Sequence, residues 1–258
     1  ASRLWFKYYP YWPLFLLILL LTVAGAWTYL KFTTPLYEST ASLLIKDEKK
    51  GFEDTKLIES LNQVSSKKII ENEMEVMRSR ALMSEVVKSL HLYAPVFEKT
   101  KFKAISSYAN SPVIIEARQP DSLVEVAKVH FHFEKDTNAI NIGNTLYALN
   151  QWVTTPYGEL KFTRKNIKNA EDKSYYFSIK SPKKVTLDLL SELDVMAANK
   201  LSSIISLSLR DEVPKRSEDI LNGLMLAYAK ASVRDKNSLA ANTLDFIEER
   251  LNLVSDEL

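Results

Sequence analysis

The chain has 258 residues, 46% hydrophobic and 26% charged, which is enough apolar surface for at least one core and atypical of a disordered segment. The net charge of +2 argues against nucleic acid as a partner. The absence of cysteine excludes disulfides, thiolate zinc sites and a cysteine nucleophile, and neither glycine-rich phosphate-binding motif occurs among the five glycines.

The first predicted element is a membrane-spanning helix. No charged residue occurs between Lys7 and Lys31, and this apolar run is long enough to cross a hydrocarbon core of about 30 Å. We expect residues 1–11 to be a cytoplasmic or interfacial N-terminus and residues 12–31 to cross the membrane. Aromatic residues should form an interfacial belt at each end of the helix. The belt residues are Trp5, Tyr11, Trp12, Trp27 and Tyr29.

A cleaved secretory signal peptide is the alternative interpretation of this segment. Arg3 and Lys7 precede the apolar run, and residues 24–26, Ala-Gly-Ala, resemble a cleavage site. The apolar character continues through Leu30, beyond that site, which favours an uncleaved anchor. The two cations favour a cytoplasmic N-terminus, although Lys31 lies on the other side.

A strand and a long helix are predicted next. From residue 37 to 45, apolar and small residues alternate with polar ones, which is typical of a half-buried strand. A helical stripe over residues 67–90 predicts one long helix, with Ser65 or Ser66 as its N-cap. This helix needs a sheet or a helix to pack on. Its expected inward residues are Ile69 or Ile70, Met74, Met77, Ala81, Met83, Val87 and Leu90.

Short strands are predicted in the middle of the chain. Between residues 111 and 180, four apolar stretches are separated by Asn, Asp, Pro and Gly. They are PVIIEA, KVHFHF, GELKFT and YYFSIK. A short helix over residues 181–193 and a hairpin that turns at Asn199 and Lys200 follow. Residues 32–213 are therefore predicted to form one α+β domain.

The last predicted element is a helix over residues 214–258, truncated before its end because no stop signal follows. At 1.5 Å per residue it would be roughly 65 Å long, longer than a domain of this size. Its first part should pack inward through Leu221, Leu224, Tyr228 and Ala231. A polar stretch follows, and then a second apolar seam that we expect to be a helix-bundle interface with neighbouring subunits or following chain. The seam consists of Ala240, Leu244, Ile247, Leu251, Val254 and Leu258.

The residues that could carry chemistry have simpler interpretations. His130 and His132 alternate with Val129, Phe131 and Phe133, so they are predicted to lie on the solvent side of an amphipathic strand. A catalytic zinc ion usually needs three protein ligands. The acidic residues of the stretch 71–75 spread around a helix and are predicted to be solvated. We therefore expect no catalytic, cofactor-binding or metal-binding residue in this chain.

The order of these parts resembles a known family. The anchor is followed by residues 35–45, by the helix of residues 71–90 and, after the strands, by the helix of residues 214–251. This order resembles the Wzz-type chain-length determinant domain of bacterial polysaccharide co-polymerases, and most closely the envelope-facing half of membrane tyrosine autokinases. Residues 154–162, TTPYGELKF, resemble a strand entry of the same family. The resemblance covers nearly the whole chain, but its motifs are not a catalytic signature.

The resemblance implies an inner-membrane protein whose periplasmic α+β domain carries long helices into a ring-shaped homo-oligomer. Such rings work with a polysaccharide polymerase and an outer-membrane export channel to set the length and passage of capsule, exopolysaccharide or O-antigen. Kinase members of the family carry a second membrane helix and a cytoplasmic ATP-binding domain after this region. ATP and Mg²⁺ are therefore implied only if such a domain follows residue 258, and the enzymatic activity of the parent protein stays open.

Three functional hypotheses follow. The chain is a structural module of a co-polymerase, or it is the non-catalytic half of a tyrosine autokinase, which is compatible with the first. The third hypothesis, from another class, is a periplasmic ligand sensor or secretion adaptor. A sensor should contain a ligand pocket, and an adaptor should form a coiled-coil hairpin.

Overall fold

The computed structural model describes residues 9–45, 68–100, 104–134, 138–165, 174–199 and 203–256, with side chains described as far as Arg250. The chain divides into two compact units, Ala1–Leu36 and Tyr37–Leu258. The predicted fold class is confirmed: the protein is mixed α and β, with an apolar N-terminal helix and a long C-terminal helix. The predicted N-cap at Ser65 or Ser66 lies outside the described residues.

The α-helices lie towards the two ends of the chain, and the middle of the chain consists mostly of strands. In order they are α1 (Trp12–Phe32), β1 (Tyr37–Leu44), α2 (68–77), α3 (Arg80–Ser89), β2 (Val96–Lys99), β3 (Ala104–Ser106), β4 (Val113–Ala117), β5 (Val126–Glu134), β6 (Ala139–Ile142), β7 (Thr145–Ala148), β8 (Trp152–Thr155), β9 (Gly158–Arg164), β10 (Tyr175–Ile179), α4 (Pro182–Glu192), β11 (Asp194–Ala197), β12 (Ile204–Asp211) and α5 (Pro214–Asp256).

Helix α1 is long and apolar enough to cross a membrane, with a mean hydropathy of 2.0 in its most apolar window. A proline occupies its first turn, where no backbone N–H donor is needed. The hydroxyls of Thr22 and Thr28 donate to the carbonyl oxygens of Leu19 and Ala24, at 2.9 and 2.8 Å. These two hydroxyls therefore have hydrogen-bond partners within the helix itself, as an apolar environment requires.

The first sheet is three-stranded and antiparallel in the order β1-β12-β11. Strand β1 pairs along its whole length with β12, so that Ala41 faces Leu207 and Leu43 faces Ile205. Alternation along β12 places Ile205, Leu207 and Leu209 on the buried face, as the sequence predicted. Strand β11 forms the predicted hairpin with β12, although Lys200 of its turn lies outside the described residues.

A layer of helices covers the inner face of this sheet. The predicted single helix over residues 67–90 is wrong: the helix is interrupted at Arg78 and Ser79, and Ser79 has extended backbone angles and caps α3 by accepting from the Leu82 N–H at 3.4 Å. The interruption shifts the helical phase. Ala81 is therefore exposed, whereas Leu82 and Val86, which the stripe omitted, are buried.

The first core lies between this helical layer and the first sheet. Its buried residues come from α2, α3, α4, the sheet and the start of α5, so that elements far apart in sequence close a single apolar volume. They are Met77, Leu82, Met83, Val86, Val87, Leu92, Val185, Leu189, Leu193, Val195, Ile205, Leu207, Leu209, Ile220, Leu221, Leu224, Ala227 and Tyr228.

The second core lies between two further antiparallel sheets. One has six strands in the order β3-β2-β10-β5-β6-β7, and the other has three in the order β4-β9-β8. The four strands predicted between residues 111 and 180 are present as β4, β5, β9 and β10. Strands β2, β3, β6, β7 and β8 were not predicted. Aromatic rings dominate this core, among them Tyr93, Phe131, Phe162, Tyr175 and Phe177.

Candidate functional site: the long C-terminal helix

The first part of α5, residues 214–232, is fixed to the domain and is called the base here. Ile220 and Leu224 are fully buried in the first core, beside β1, β12 and α3. Gly223 permits the close approach of α3, because an added Cβ would lie 3.2 Å from Val86 Cγ1. The Oγ atoms of Ser217 and Ser39 lie 2.6 Å apart, which joins the helix to β1. The predicted inward packing of this part is confirmed.

Polar contacts add to the apolar packing of the base. The Tyr228 hydroxyl donates to Glu73 Oε2 at 2.7 Å, and the Tyr108 hydroxyl donates to Asp219 Oδ2 at 3.0 Å. Burial, followed by the adjacent carboxylate, raises the pKa of each phenol well above its ordinary value. Both phenols therefore stay protonated donors to a higher pH than a free tyrosine does. Glu73, predicted to be a solvated helix carboxylate, is instead half-buried and is an acceptor for the base.

An ion pair lies at the start of the same helix. Arg216 Nε is 3.3 Å from Asp211 Oδ2, and the side chain of Asp211 is only 5% exposed. The other carboxylate oxygen of Asp211 accepts from the Val213 N–H at 2.8 Å. Each carboxylate oxygen of Asp211 therefore has a partner, one a cation and the other a backbone N–H. Such pairing lowers the desolvation cost of burying a carboxylate.

The second part of α5, residues 233–250, is called the distal half and contrasts with the base. Every residue in it is exposed. Of the predicted seam, Ala240, Leu244 and Ile247 lie on this exposed surface. Leu251 and Val254 lie on the helical backbone beyond the described side chains, and Leu258 lies outside the described residues. The role of the seam as an interface stays a prediction.

A second apolar stripe runs along the distal half and was missed from the sequence. Leu239 and Phe246 are seven residues apart and exposed by 69% and 57%. Each precedes a seam residue by one position, so the stripe lies about 100° around the helix from the seam. The signal that could have revealed it is this seven-residue spacing. A helix with two apolar stripes can contact neighbours on two sides.

The predicted aromatic belt residues lie at the two ends of α1. Tyr11 and Trp12 lie at its start, Trp27 and Tyr29 lie near its end, and all four are exposed. The Lys31 ammonium lies 4.7 Å from the centroid of the Trp27 ring, a cation–π arrangement suited to a headgroup region. Trp5 lies outside the described residues. The role of these residues as interfacial belts stays a prediction.

The histidine pair occupies the predicted face of β5. His130 and His132 are exposed, and Val129, Phe131 and Phe133 are buried on the opposite face. Within the described part of the chain, no group of three His, Cys, Asp or Glu residues is arranged to hold a metal ion.

A cavity of about 390 Å³ lies where α3, α4 and the start of α5 meet β2 and β4. Its lining is apolar at Val96, Val113 and Leu189, and it is charged at Lys165 and Lys180. Lys165 Nζ donates to the Tyr108 carbonyl oxygen at 3.0 Å, and burial lowers the pKa of this amine. The cavity was not predicted, because the residues that line it are far apart in the sequence.

Comparison with known proteins places these features in context. Residues 9–90 match the Wzz family model, described as chain length determinant protein. The matched segment includes α1, β1, α2 and α3. The resemblance expected from the sequence is thereby confirmed for this segment.

One curated relative is similar over the whole chain. It is tyrosine-protein kinase ptk of Acinetobacter johnsonii, which is 21% identical over 292 aligned residues that cover 100% of this chain. The chain spans only 38% of the length of that relative. The two similarities relate residues 9–90 to chain length determinant proteins and the chain as a whole to part of a tyrosine-protein kinase.

Proposed function

We propose that this chain is the membrane-anchored chain-length-determining module of a polysaccharide co-polymerase, and that it acts as an oligomeric scaffold. The distal half of α5 carries the proposal. It exposes two apolar stripes to solvent over about two helical turns, whereas the base of the same helix is packed into a core. The match of residues 9–90 to the chain length determinant model supports the proposed process, which is control of polymer length.

The scaffold function follows from how two stripes can be covered. Leu244 and Ile247 belong to the seam, and Leu239 and Phe246 belong to the second stripe. A single two-fold contact would cover one stripe on each copy. A head-to-tail contact places the seam of one copy against the second stripe of the next, and repeating it around an axis yields a closed ring. Burial of these side chains supplies the driving force.

Membrane attachment is part of the same proposal. Helix α1 would anchor the protein in the bacterial inner membrane, with residues 1–11 at the cytoplasmic side and residues 32–213 in the periplasm. The ring would then stand where polymer is assembled and handed to an export channel. A polysaccharide polymerase and an outer-membrane channel are the proposed partners for capsule, exopolysaccharide or O-antigen.

Polymer length in cells tests the proposal. In the strain that encodes the protein, Ile247→Asp and Leu251→Asp would each place an unpaired charge in the seam. Both are expected to shift the surface polysaccharide on gels towards the distribution seen when the gene is deleted. Ser238→Asp, on the opposite side of the same exposed helix, is the matched control and should leave the distribution unchanged. Normal polymer length in the deletion strain would contradict the proposed process.

Enzymatic activity of the whole protein is a separate proposal, because the relative named as a tyrosine-protein kinase is much longer than this chain. We infer that any phosphorylation would require an ATP-binding domain after residue 258. The sequence after that residue should then contain a second apolar span and a G-x-x-x-x-G-K-[ST] loop. Their absence from the complete gene would exclude the kinase assignment.

The cavity favours a periplasmic ligand sensor as a second candidate function. Its volume suits a small molecule, and apolar walls with a few charged groups are common in ligand sites. If the protein is a sensor, one compound of a metabolite panel should raise the midpoint temperature of thermal unfolding of the wild type. Lys180→Glu, at the rim of the cavity, should reduce this increase. If no compound changes the unfolding midpoint and Ile247→Asp alters polymer length, the scaffold function is favoured instead.

A further inference from the structure

The outer face of the three-stranded sheet β4-β9-β8 carries an unusual set of side chains. Across the sheet, Trp152 pairs with Lys161, and Lys161 pairs with Glu116. Alternation puts the neighbouring residues Leu160 and Ile115 into the second core, so the row of three lies on the opposite face. Trp152 is 41% exposed, at the edge strand of the sheet.

Charged groups surround the indole ring and are paired with one another. Arg118 Cζ and Lys161 Nζ lie 5.7 and 5.9 Å from its centroid. Arg118 Nη1 is 2.7 Å from Glu159 Oε1, and Lys161 Nζ is 3.4 Å from Glu116 Oε2. Two cations therefore lie beside the ring, and each is paired with a carboxylate, so that the four charges cancel. These four side chains are called the frame.

Hydrogen bonds hold the groups of this frame in position. The Thr163 hydroxyl donates to Glu116 Oε1, the oxygen that Lys161 does not contact. Burial opposes ionisation of Glu116, but the bond from Thr163 and the charge of Lys161 outweigh it and lower the pKa of the carboxyl. The Arg118 N–H donates to the Glu159 carbonyl oxygen at 3.1 Å, which sets the position from which its guanidinium extends.

We propose that this face binds a neutral pyranose unit of a glycan, with the sugar ring stacked on Trp152. The inference rests on the proposed function for the identity of the glycan, and it adds that the polymer touches this domain and where. An indole offers a large rigid apolar surface, which suits the C–H face of a sugar ring. Sugar hydroxyls both donate and accept, and the frame presents donors on Arg118 and Lys161 beside acceptors on Glu116 and Glu159.

The charge balance selects the ligand class. An anionic polymer would need uncompensated cations, whereas each cation near Trp152 already faces a carboxylate. A neutral saccharide needs no net charge and can exchange hydrogen bonds with both signs. Single exposed apolar side chains are ordinary on protein surfaces. Trp152 differs from the exposed Leu146 of β7 because it is framed by donors and acceptors that are already fixed.

Tryptophan fluorescence tests the proposal directly. The chain has four tryptophans, so Trp5→Phe, Trp12→Phe and Trp27→Phe together leave Trp152 as its only tryptophan, which is excited selectively at the red edge of its absorption, where tyrosine does not absorb. The detergent-solubilised protein is titrated with the surface polysaccharide purified from the encoding strain, and with polygalacturonate as an anionic polymer. The strain's polysaccharide is expected to lower the acrylamide quenching constant about twofold by covering the ring. The protection should persist at high salt, because no net charge is involved.

A binding measurement on variants completes the test. Trp152→Ala is expected to weaken polysaccharide binding about tenfold, and Trp152→Phe less. Leu146→Ala, at an exposed apolar side chain of a different sheet, should bind like the wild type. Unchanged quenching of Trp152 with the strain's polysaccharide would overturn the proposal without any variant having to fold. Protection only by polygalacturonate, lost at high salt, would overturn the neutral-sugar assignment.

The two proposals fail separately. If Ile247→Asp alters polymer length but Trp152 is neither protected nor needed for binding, the scaffold stands and the glycan site is wrong. If deletion of the gene leaves polymer length normal, the proposed function is wrong whatever Trp152 binds.

Discussion

The base and the distal half of α5 are parts of one continuous helix, yet only the base is packed into the first core, and every residue of the distal half is exposed. Leu224 in the base is fully buried, whereas Leu244 in the distal half is 61% exposed. The backbone is helical without interruption through residue 256, so the two parts differ in the burial of their side chains and not in secondary structure. The contrast shows that the apolar pattern of the base serves the fold of the domain, while that of the distal half is available for assembly.

Matched leucine truncations should give the largest contrast between these regions. Leu224→Ala removes fully buried methyl groups from the first core and should lower the free energy of unfolding by about 3 kcal/mol. Leu244→Ala removes the same atoms from an exposed site and should change it by less than about 0.5 kcal/mol in dissociated protein. Urea denaturation of both variants in detergent measures the difference. Equal effects would remove the distinction between base and distal half.

Loss of the Tyr228 hydroxyl should give a smaller effect. Tyr228→Phe removes the hydrogen bond to Glu73 and should destabilise the protein by about 1 kcal/mol. Because the ring itself remains in the core, the effect isolates the polar contact that joins the base to α2. Glu73→Ala and the double variant complete a thermodynamic cycle in urea denaturation. Additive effects of the two single changes would show that the hydrogen bond contributes nothing.

The raised phenol pKa values predict a modest loss of stability in alkali. Tyr108 and Tyr228 hold their protons more tightly in the folded protein than in the unfolded chain. Above about pH 10 the unfolded chain therefore binds fewer protons, and the free energy of unfolding falls as pH rises further. Below that pH this contribution is constant.

The Tyr108→Phe/Tyr228→Phe double variant checks the pH prediction. Its unfolding free energy, measured at several pH values through the tyrosine range, should decline less steeply than that of the wild type. An identical slope would mean that neither phenol is held protonated by the fold.

Sequence alone predicted the elements whose patterns are long. The alternation in β1 and β12 and the stripe of the α5 base each extend over several residues, so periodicity identified them and the residues they bury. The strands β6 and β7 have only four residues each, which is too short for an alternation of apolar and polar residues to be recognised. Their connection is Gly143-Asn144, with Gly143 at a φ of +64°, and this pair is a hairpin signal that could have located them.

Two other features needed the tertiary structure. The interruption between α2 and α3 falls at Arg78 and Ser79, where neither glycine nor proline marks a stop, and only the cap from Ser79 identifies it afterwards. The frame around Trp152 depends on strand register, which brings Glu116 and Lys161 together from distant parts of the sequence. Short-range pattern cannot supply such pairing.

The size of the detergent-extracted protein tests the central claim, that the distal half of α5 assembles copies of the chain. Mass photometry of the wild type should show one oligomeric species larger than a dimer. Ile247→Asp should shift it to smaller particles, while Ser238→Asp on the opposite helix face keeps the wild-type size. A strictly monomeric wild type, or the same oligomer in Ile247→Asp, would contradict the account.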